Sequence, residues 1–316
     1  MSILVSVSVI TYNAASFVEE TLESIFNQTY GNIELIVSDD CSKDNTIEIV
    51  QKWSEQEQVK ARFKDIKIVT VPNNTGVSAN CNRAIAASTG EWIKFIAGDD
   101  ILLPTCIEDN MNFVAENSNA MIIFSQVDVY QDIFEHNNYQ KTIPAIYPDN
   151  LMHKSFYAEE QFKILVQSDR INYTPSYFFN KQTILSVGGY DEKNQLVEDY
   201  PMWLKLTKAG IRLFYFHKPT VGYRIHSKAT NNTGDDLLFK PSVINGHRVR
   251  QKFAHPFLPW LQVMKEDWIY NITLFFKWTG TEKKTILTNG LYQFTTIFCN
   301  PFYYIDYIKR KLQKNE

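Results

Sequence analysis

Short apolar runs alternate with amphipathic segments over the first hundred residues of this 316-residue chain. Runs of mostly β-branched or aromatic residues predict buried strands at residues 5–10, 33–38, 66–71 and 91–97. The intervening segments predict helices at residues 16–28, 44–56 and 77–88. A capping box of Ser16 and Glu19 is expected to open the first helix. This alternation with short connections predicts a doubly wound, mostly parallel α/β sheet with helices on both faces.

The pattern becomes less regular from about residue 121 to residue 189. Further strands are predicted at residues 121–130, 211–216 and 220–225. Residues 201–210 predict a helix that ends at Gly210. Beyond about residue 231 the chain becomes aromatic and helical in character. We therefore expect an α/β domain at residues 1–230, with halves at 1–115 and 116–230, and a C-terminal helical, aromatic-rich extension at 231–316.

Composition narrows the class of protein. With 44% hydrophobic and 21% charged residues, the chain can bury a substantial core. A net charge of −3 argues against a nucleic-acid binder, which usually has a basic face. The four cysteines show no metal-ligand spacing, so we expect reduced thiols in a cytoplasmic protein. No basic region precedes the first apolar run, which indicates a strand and not a signal peptide.

One uncharged segment, residues 285–305, has about the length that a bilayer requires. Its Thr, Asn, Gln and Pro residues would make its insertion unfavourable. The aromatic clusters are followed by basic residues, listed here: Lys309, Arg310, Lys311 and Lys314. Two interpretations stay open, a segment lying at a membrane surface or a helical subdomain packed on the first domain.

Polar residues follow three of the predicted parallel strands. Asp39–Asp40 and Asp99–Asp100 come directly after two of them, and Tyr12–Asn13 after the first. Adjacent carboxylates can cap a helix, stay solvated or bind a divalent cation. The cation is favoured here because ligand sites lie at the carboxyl ends of such strands, where these loops converge. Oxygen ligands suit Mn²⁺ or Mg²⁺, which also bind phosphate oxygens, so a phosphate-bearing ligand is expected.

Five motifs in this order resemble those of glycosyltransferase family 2, inverting enzymes of the GT-A fold, over roughly residues 3–226. They are VSVSVITYN, SDDCSKDNT, NNTGVSANCNRAIAASTGEWI, AGDD and VEDYPMWLKL. The resemblance implies a GT-A catalytic domain whose first half binds the nucleotide and whose second half binds the acceptor. It also implies sugar transfer from a nucleotide diphosphate donor, by family habit UDP, to an acceptor hydroxyl with Mn²⁺ or Mg²⁺ assistance.

The same resemblance implies roles for residues of the nucleotide half. Thr11, Tyr12 and Asn13 match the loop that lies against the base and ribose. Asp39 and Asp40 match an acidic pair whose first member usually hydrogen-bonds uracil, although Asp40 could instead cap the helix that begins near residue 44.

The motif around Asp99 and Asp100 matches the DXD-type element of the family. There Asp100 is the expected metal ligand and Asp99 contacts ribose or the donor sugar. His226 is a candidate further metal ligand, or a structural histidine. Arg224 could pair with phosphate oxygens or with a structural acid.

Glu198 and Asp199 match the family's ED motif. Asp199 is the expected base, because an acceptor hydroxyl attacks poorly while it keeps its proton, and Glu198 would orient the acceptor or the backbone. Alternatively both acids only open the next helix, where its dipole favours them. Cys81 stands where many members have Arg, and Arg83 could contact the diphosphate instead.

Many relatives build bacterial surface polysaccharides such as O antigen, capsule or exopolysaccharide on polyprenyl-linked acceptors. We therefore expect a glycan or polyprenyl-linked acceptor and a cytoplasmic enzyme, peripheral at the inner membrane face if its C-terminal segment binds lipid. A nicotinamide oxidoreductase is disfavoured because TYNAAS replaces the GxGxxG turn. A nucleotidyltransferase is disfavoured because no glycine-rich basic loop follows the first strand. The remaining alternative is a non-catalytic nucleotide-sugar-binding subunit.

Overall fold

The computed structural model describes residues 2–194, 197–227 and 236–313. The chain divides into two compact units, Met1–His226 (unit 1) and Ser227–Glu316 (unit 2). The boundary predicted between residues 230 and 231 lies outside the described residues.

Among the described residues of unit 1, nine strands form one sheet. They are β1 (Val5–Thr11), β2 (Ile33–Asp39), β3 (Ile66–Thr70), β4 (Trp92–Ala97), β5 (Ile101–Leu102), β6 (Ile122–Gln131), β7 (Tyr139–Ile143), β8 (Phe178–Asn180) and β9 (Leu213–Ile225). The order is β3-β2-β1-β4-β8-β6-β9-β5, and β7 pairs with β6. Pairs β1–β2, β1–β4, β2–β3 and β6–β9 are parallel, which confirms the mostly parallel sheet.

The helices of unit 1 follow the strands. They are α1 (Val18–Phe26), α2 (Thr46–Ser54), α3 (Glu57–Arg62), α4 (Val77–Ala87), α5 (Cys106–Glu116), α6 (Ala158–Gln167), α7 (Lys181–Ser186) and α8 (Asp199–Lys208). The predicted helix at 44–56 stops at Ser54, and α3 begins only after Gln56, whose backbone is extended. The two strands predicted at 211–216 and 220–225 are one continuous strand, β9.

The predicted capping box at Ser16 is wrong. The first residue before α1 is Phe17, and it makes no side-chain capping hydrogen bond. The backbone N–H groups of Phe17 and Val18 both donate to the carbonyl of Ala14, so Ser16 lies inside a tight turn and not at the N-cap. The predicted C-terminal end of the helix at residues 201–210 is confirmed. Gly210 lies just beyond α8 and has the left-handed φ of +82° that favours glycine after a helix.

Buried polar groups tie the sheet to its surroundings. The side chain of Lys94 on β4 is fully buried, and its Nζ donates to the carbonyls of Pro175 (2.6 Å) and Tyr177 (3.2 Å). Burial lowers the pKa of Lys94 to about 8. The segment that leads into β8 is therefore fixed against the centre of the sheet.

Unit 2 is helical, as predicted. Its helices are α9 (Pro241–Phe253), α10 (Trp260–Trp278), α11 (Ile286–Gln293) and α12 (Pro301–Gln313), and a π-helical segment, Phe294–Phe298, follows α11. A small apolar core forms around Leu238, Phe239, Ile244 and Phe276. No helix among the described residues is both long and apolar enough to cross a bilayer.

A polar network joins α9 to α10. His247, His255 and Glu266 lie close enough together to share a cation. Arg250 already donates to both oxygens of Glu266, at 2.8 and 2.7 Å, and Asp267 lies 2.9 Å from His247. These groups are satisfied by one another, so they stabilise the packing of the two helices.

Candidate active site

Thr11 and Asp39 join the carboxyl ends of β1 and β2. The Thr11 hydroxyl donates to Asp39 Oδ1 at 2.9 Å, and the backbone N–H of Ser42 donates to Asp39 Oδ2 at 2.8 Å. Asp39 is only 1% exposed. Its carboxylate therefore holds the two loops together, and the expected contact with uracil stays a prediction.

Tyr12 and Asn13 are the exposed residues of the first loop. The Tyr12 side chain is half exposed, and Asn13 beside it is held in a left-handed conformation (φ +54°). Asn13 donates its N–H to the Ser42 hydroxyl and accepts from the N–H of Lys43. This rigid loop presents an aromatic ring to solvent, which is the property that stacking on a nucleotide base requires.

Asp40 connects β2 to the start of α4. Its carboxylate accepts from the backbone N–H groups of Thr75 (3.0 Å) and Gly76 (2.7 Å) and from Arg83 (2.7 Å). Burial tends to raise the pKa of Asp40, but these hydrogen bonds outweigh it and lower the pKa below its usual value. The alternative that Asp40 caps α2 is wrong, because its partners all lie at or in α4.

The AGDD motif places its two acids in different environments. Asp100 is buried, and its Oδ1 accepts from the backbone N–H of Arg224 at 2.9 Å. Burial and the neighbouring Asp99 charge raise the pKa of Asp100 well above its usual range. The guanidinium of Arg224 donates to the carbonyls of Asp99 and Asp132 and to the carboxylate of Glu20. Of the two alternatives for Arg224, the structure therefore shows pairing with a structural acid, Glu20.

Asp99 is the accessible acid of this pair. Its side chain is 32% exposed, and its Oδ2 lies 3.0 Å from Nε2 of His226, which follows β9. The Phe17 ring packs 4.5 Å from the imidazole and fixes one side of it. One carboxylate and one imidazole at this spacing fit Mn²⁺ or Mg²⁺, whose other ligands would be water and phosphate. Asp99 is thus the accessible carboxylate of the pair, and the role of Asp100 as metal ligand stays a prediction.

Glu198 and Asp199 lie half-buried where α8 begins. Burial raises the pKa of Asp199 well above its usual range, and the charges of Glu198 and Asp169 raise it further. Burial also raises the pKa of Glu198. Both acids do open the helix, as the alternative expects, but the Glu198 side chain makes no capping hydrogen bond. A raised pKa suits a carboxylate to act as a general base.

Helix α4 connects the two groups of acids. On one side Asn80 donates to the carbonyls of Thr11 and Ser38, at the ends of β1 and β2. On the other side Asn82 accepts from the N–H of Tyr190 at 2.8 Å and donates to its carbonyl at 3.0 Å. Cys81 is buried between them, and the charges of the Glu198–Asp199 pair add to the effect of burial in raising its pKa.

Sequence reasoning missed both asparagines. They belong to the quoted segment NNTGVSANCNRAIAASTGEWI, but their roles depend on partners 69 and 108 residues away in the chain. Arg83 also lies on α4, paired with Asp40. A contact between Arg83 and a diphosphate stays a prediction.

The segment GGYDE, residues 188–192, approaches α4 closely at one of its two glycines. Gly189 has φ +66°, and a Cβ there would lie 2.8 Å from Asn82 Oδ1. Gly188 has φ +81°, and a Cβ there would meet no atom within 4 Å. The element therefore has one glycine required for conformation alone and one required also for space.

Gly189→Ala is expected to destabilise the fold more than Gly188→Ala does. Both variants share a left-handed backbone penalty of about 1–2 kcal/mol, and the clash at residue 189 adds about 1–3 kcal/mol. Urea unfolding of both variants measures the difference. Equal losses would show that Asn82 moves aside freely and does not position this segment.

Comparison with known proteins confirms the resemblance. The family model described as "Glycosyl transferase family 2" matches residues 6–185. The chain belongs to this family. It is accordingly a glycosyltransferase, and the matched region includes the loops of Tyr12, Asp40 and Asp99 and all of α4.

Several proteins resemble this glycosyltransferase over most of its length. An "Uncharacterized glycosyltransferase" of Haemophilus influenzae is 26% identical over 72% of this chain and 68% of its own length. An Escherichia coli protein, "UDP-Glc:alpha-D-GlcNAc-diphosphoundecaprenol beta-1,3-glucosyltransferase WfaP", is 25% identical over 76% of this chain and 85% of its own.

Solved structures agree on the fold. S. aureus TarS 1-349 in complex with UDP-GlcNAc superposes with a TM-score of 0.57 at 17% identity, covering 84% of this glycosyltransferase and 71% of that chain. The longer TarS structure is matched over 43% of its length. At such identity the likeness concerns the fold alone, and it confirms the GT-A-like α/β architecture.

Proposed function

We propose that this glycosyltransferase moves a sugar from a UDP-sugar to a hydroxyl of a glycan or polyprenyl-linked oligosaccharide, with inversion. The observation that carries the proposal is the arrangement around α4. This helix contacts the loops that would hold the nucleotide, through Asn80 and Arg83, and also lies beside the raised-pKa carboxylate of Asp199. The donor site and the proposed base would thus both be positioned by α4.

The donor half of the proposal rests on Tyr12, Asp99 and His226. Tyr12 would stack on the base, and Asp99 with His226 would hold Mn²⁺ or Mg²⁺ against the diphosphate. When bound, such an ion neutralises the charge of the departing diphosphate. The buried groups Asp39, Asp100 and Arg224 would keep these three side chains in place.

The chemical step would be a single displacement. The acceptor oxygen forms a bond to the anomeric carbon as the bond from that carbon to the diphosphate oxygen breaks. Asp199 takes the proton of the acceptor hydroxyl, so UDP leaves as an anion and no residue is covalently modified. Glu198, beside Asp199, would orient the acceptor and help to keep the pKa of Asp199 raised.

The names of two relatives support the proposed acceptor class. WfaP is named for a diphosphoundecaprenol-linked acceptor, and a Bacillus subtilis relative, 32% identical over 37% of this chain, is named "Putative teichuronic acid biosynthesis glycosyltransferase TuaG". We propose that this enzyme acts in bacterial surface-polysaccharide synthesis, in the cytoplasm at the inner face of the membrane.

Thermal unfolding in the presence of nucleotide sugars tests the donor class. A ligand at a hundred times its dissociation constant stabilises the native state by about 2.7 kcal/mol, which raises the unfolding temperature by roughly 5–10 °C for a domain of this size. We expect this shift with UDP-glucose or UDP-GlcNAc plus Mn²⁺, and a smaller one without Mn²⁺. Larger shifts with GDP- or dTDP-sugars would reject the UDP assignment, and no shift with any of them would reject donor binding.

A further inference from the structure

The end of unit 2 exposes large apolar side chains on consecutive helical segments. We define the apolar face by Ile286, Leu287, Leu291, Phe294, Phe298 and Ile308, all of them more than half exposed. Ile286 and Leu287 are 97% and 82% exposed. Groups of exposed large apolar side chains on a soluble protein often mark an interaction site.

The buried side of α11 and the π-helical segment contains polar groups beside the partly buried Tyr292 ring. Thr296 is buried and donates to the carbonyl of Tyr292 at 2.7 Å, and Thr273 of α10 lies 2.7 Å from the Tyr292 hydroxyl. Asn300 is also buried and donates to the carbonyl of Lys265. In a helix of a water-soluble protein the apolar stripe faces the core and the polar side faces water. Here, in contrast, large apolar side chains are exposed while Thr296 and Asn300 are buried.

Helix α12 likewise exposes large apolar and aromatic side chains and uses its acid internally. Its one acid, Asp306, forms an ion pair with Lys265 of α10 at 2.6 Å, and both side chains are largely buried. Tyr304, Tyr307 and Ile308, in contrast, are more than half exposed. Both α11 and α12 therefore expose large aromatic or aliphatic side chains, and Asp306 of α12 is used for an internal contact.

The charges around the apolar face have one sign. Exposed Lys283 and Lys284 precede it, and exposed Lys309 and Lys311 follow it. Between residues 283 and 311 the only carboxylate is Asp306, which is already paired. Apolar and aromatic side chains bordered by lysines complement a membrane surface with anionic headgroups, whereas contact with a second copy would bring the lysines of two chains together.

We propose that the apolar face lies in the interface of an anionic lipid bilayer, at the boundary of headgroups and acyl chains. The segment rests on the membrane without crossing it. This surface is independent of the assignments of Asp99 and Asp199, and it would bring the enzyme to the leaflet that contains a polyprenyl-linked acceptor.

Vesicle sedimentation of the full-length chain tests the proposal, with phosphatidylcholine vesicles prepared with and without phosphatidylglycerol. Leu287→Glu/Phe298→Glu is expected to weaken binding to the anionic vesicles by about a hundredfold or more, because two apolar side chains no longer leave water. The matched control is Ile146→Glu/Leu185→Glu, which changes two exposed apolar residues of unit 1. The control should bind as the parent does.

A second variant tests the charge. Lys309→Gln/Lys311→Gln is expected to weaken binding to phosphatidylglycerol vesicles roughly thirtyfold, since each lysine near such a surface contributes about 1 kcal/mol. The same variant should change binding to pure phosphatidylcholine far less. Equal losses on both lipids would contradict the electrostatic part of the proposal.

Two results would overturn the membrane assignment. One is that the parent fails to sediment with anionic vesicles. The other is a parent dimer by light scattering that Leu287→Glu/Phe298→Glu converts to a monomer, with no vesicle binding by either protein, which would assign the apolar face to a second copy. An unchanged unfolding temperature and UDP-sugar shift in these variants would show that the fold and the donor site remain intact.

Discussion

Asp199→Asn is expected to lower kcat by a factor of about 10²–10⁴, the usual contribution of a general base. The amide keeps the size and hydrogen-bonding shape of the carboxylate but accepts no proton from an alcohol. Because Asp199 must be unprotonated to act, the parent's kcat/KM should rise with pH through the raised pKa of this carboxyl. The variant should lose this rising limb. Transfer assays from UDP-sugar across a range of pH measure both effects.

The same substitution should raise the unfolding temperature at neutral pH. The folded-state pKa of Asp199 is raised above its unfolded value, so ionising it in the folded protein costs stability. That cost is absent below the unfolded-state pKa, grows as pH rises and is complete above the folded-state pKa. Loss of activity with a gain in stability therefore separates a lost base from a misfolded variant.

Glu198→Gln is the matched control for Asp199→Asn. It removes the neighbouring charge but leaves the proposed base, so we expect a smaller loss of kcat and a lower apparent pKa of the rising limb. If Asp199→Asn turned over as fast as the parent, the base assignment would be wrong. Equally slow donor turnover by both proteins would instead favour a non-catalytic nucleotide-sugar-binding subunit.

Asp99→Asn and His226→Asn are each expected to raise the Mn²⁺ concentration that gives half-maximal activity by about tenfold to a hundredfold. Each substitution removes one of the two protein ligands of the proposed ion. Loss of a group that only orients a metal ligand already lowers metal affinity about tenfold to a hundredfold, so the loss of a ligand should lower it at least as much. Titration of activity with Mn²⁺ measures the effect, and Mn²⁺ binding followed by electron paramagnetic resonance checks it without turnover.

Asp100→Asn discriminates between the two acids of AGDD. Asn can still accept the hydrogen bond from the Arg224 N–H, and the change removes a buried charge whose pKa is raised. We therefore expect a nearly unchanged Mn²⁺ requirement and a higher unfolding temperature above neutral pH. A Mn²⁺ requirement that rises more for Asp100→Asn than for Asp99→Asn would restore the sequence-based assignment.

The local pattern of apolar and polar residues correctly predicted the first four strands of the nucleotide half. Buried runs predicted β1 to β4 to within one residue at either end, because continuous β-branched segments between turns have few other stable conformations. It failed where an element depends on distant partners. The three-residue strand β8 is too short to show a period, and Ser16 has the right residue type for a cap but lies within the turn formed around Ala14.

The sequence by itself determined the family, the doubly wound sheet, and the loops in which the acids lie. These follow from local periodicity and from short motifs in a particular order. Only the tertiary structure decided that Asp39 and Asp40 are both buried, and that of Asp99 and Asp100 only the first is accessible. Asp99 and Asp100 are adjacent and chemically alike, but β9 buries one with a backbone N–H and leaves the other beside His226. The exposure and the hydrogen-bond partners of these two acids depend on residues more than a hundred positions away, so they cannot be predicted from the local sequence pattern.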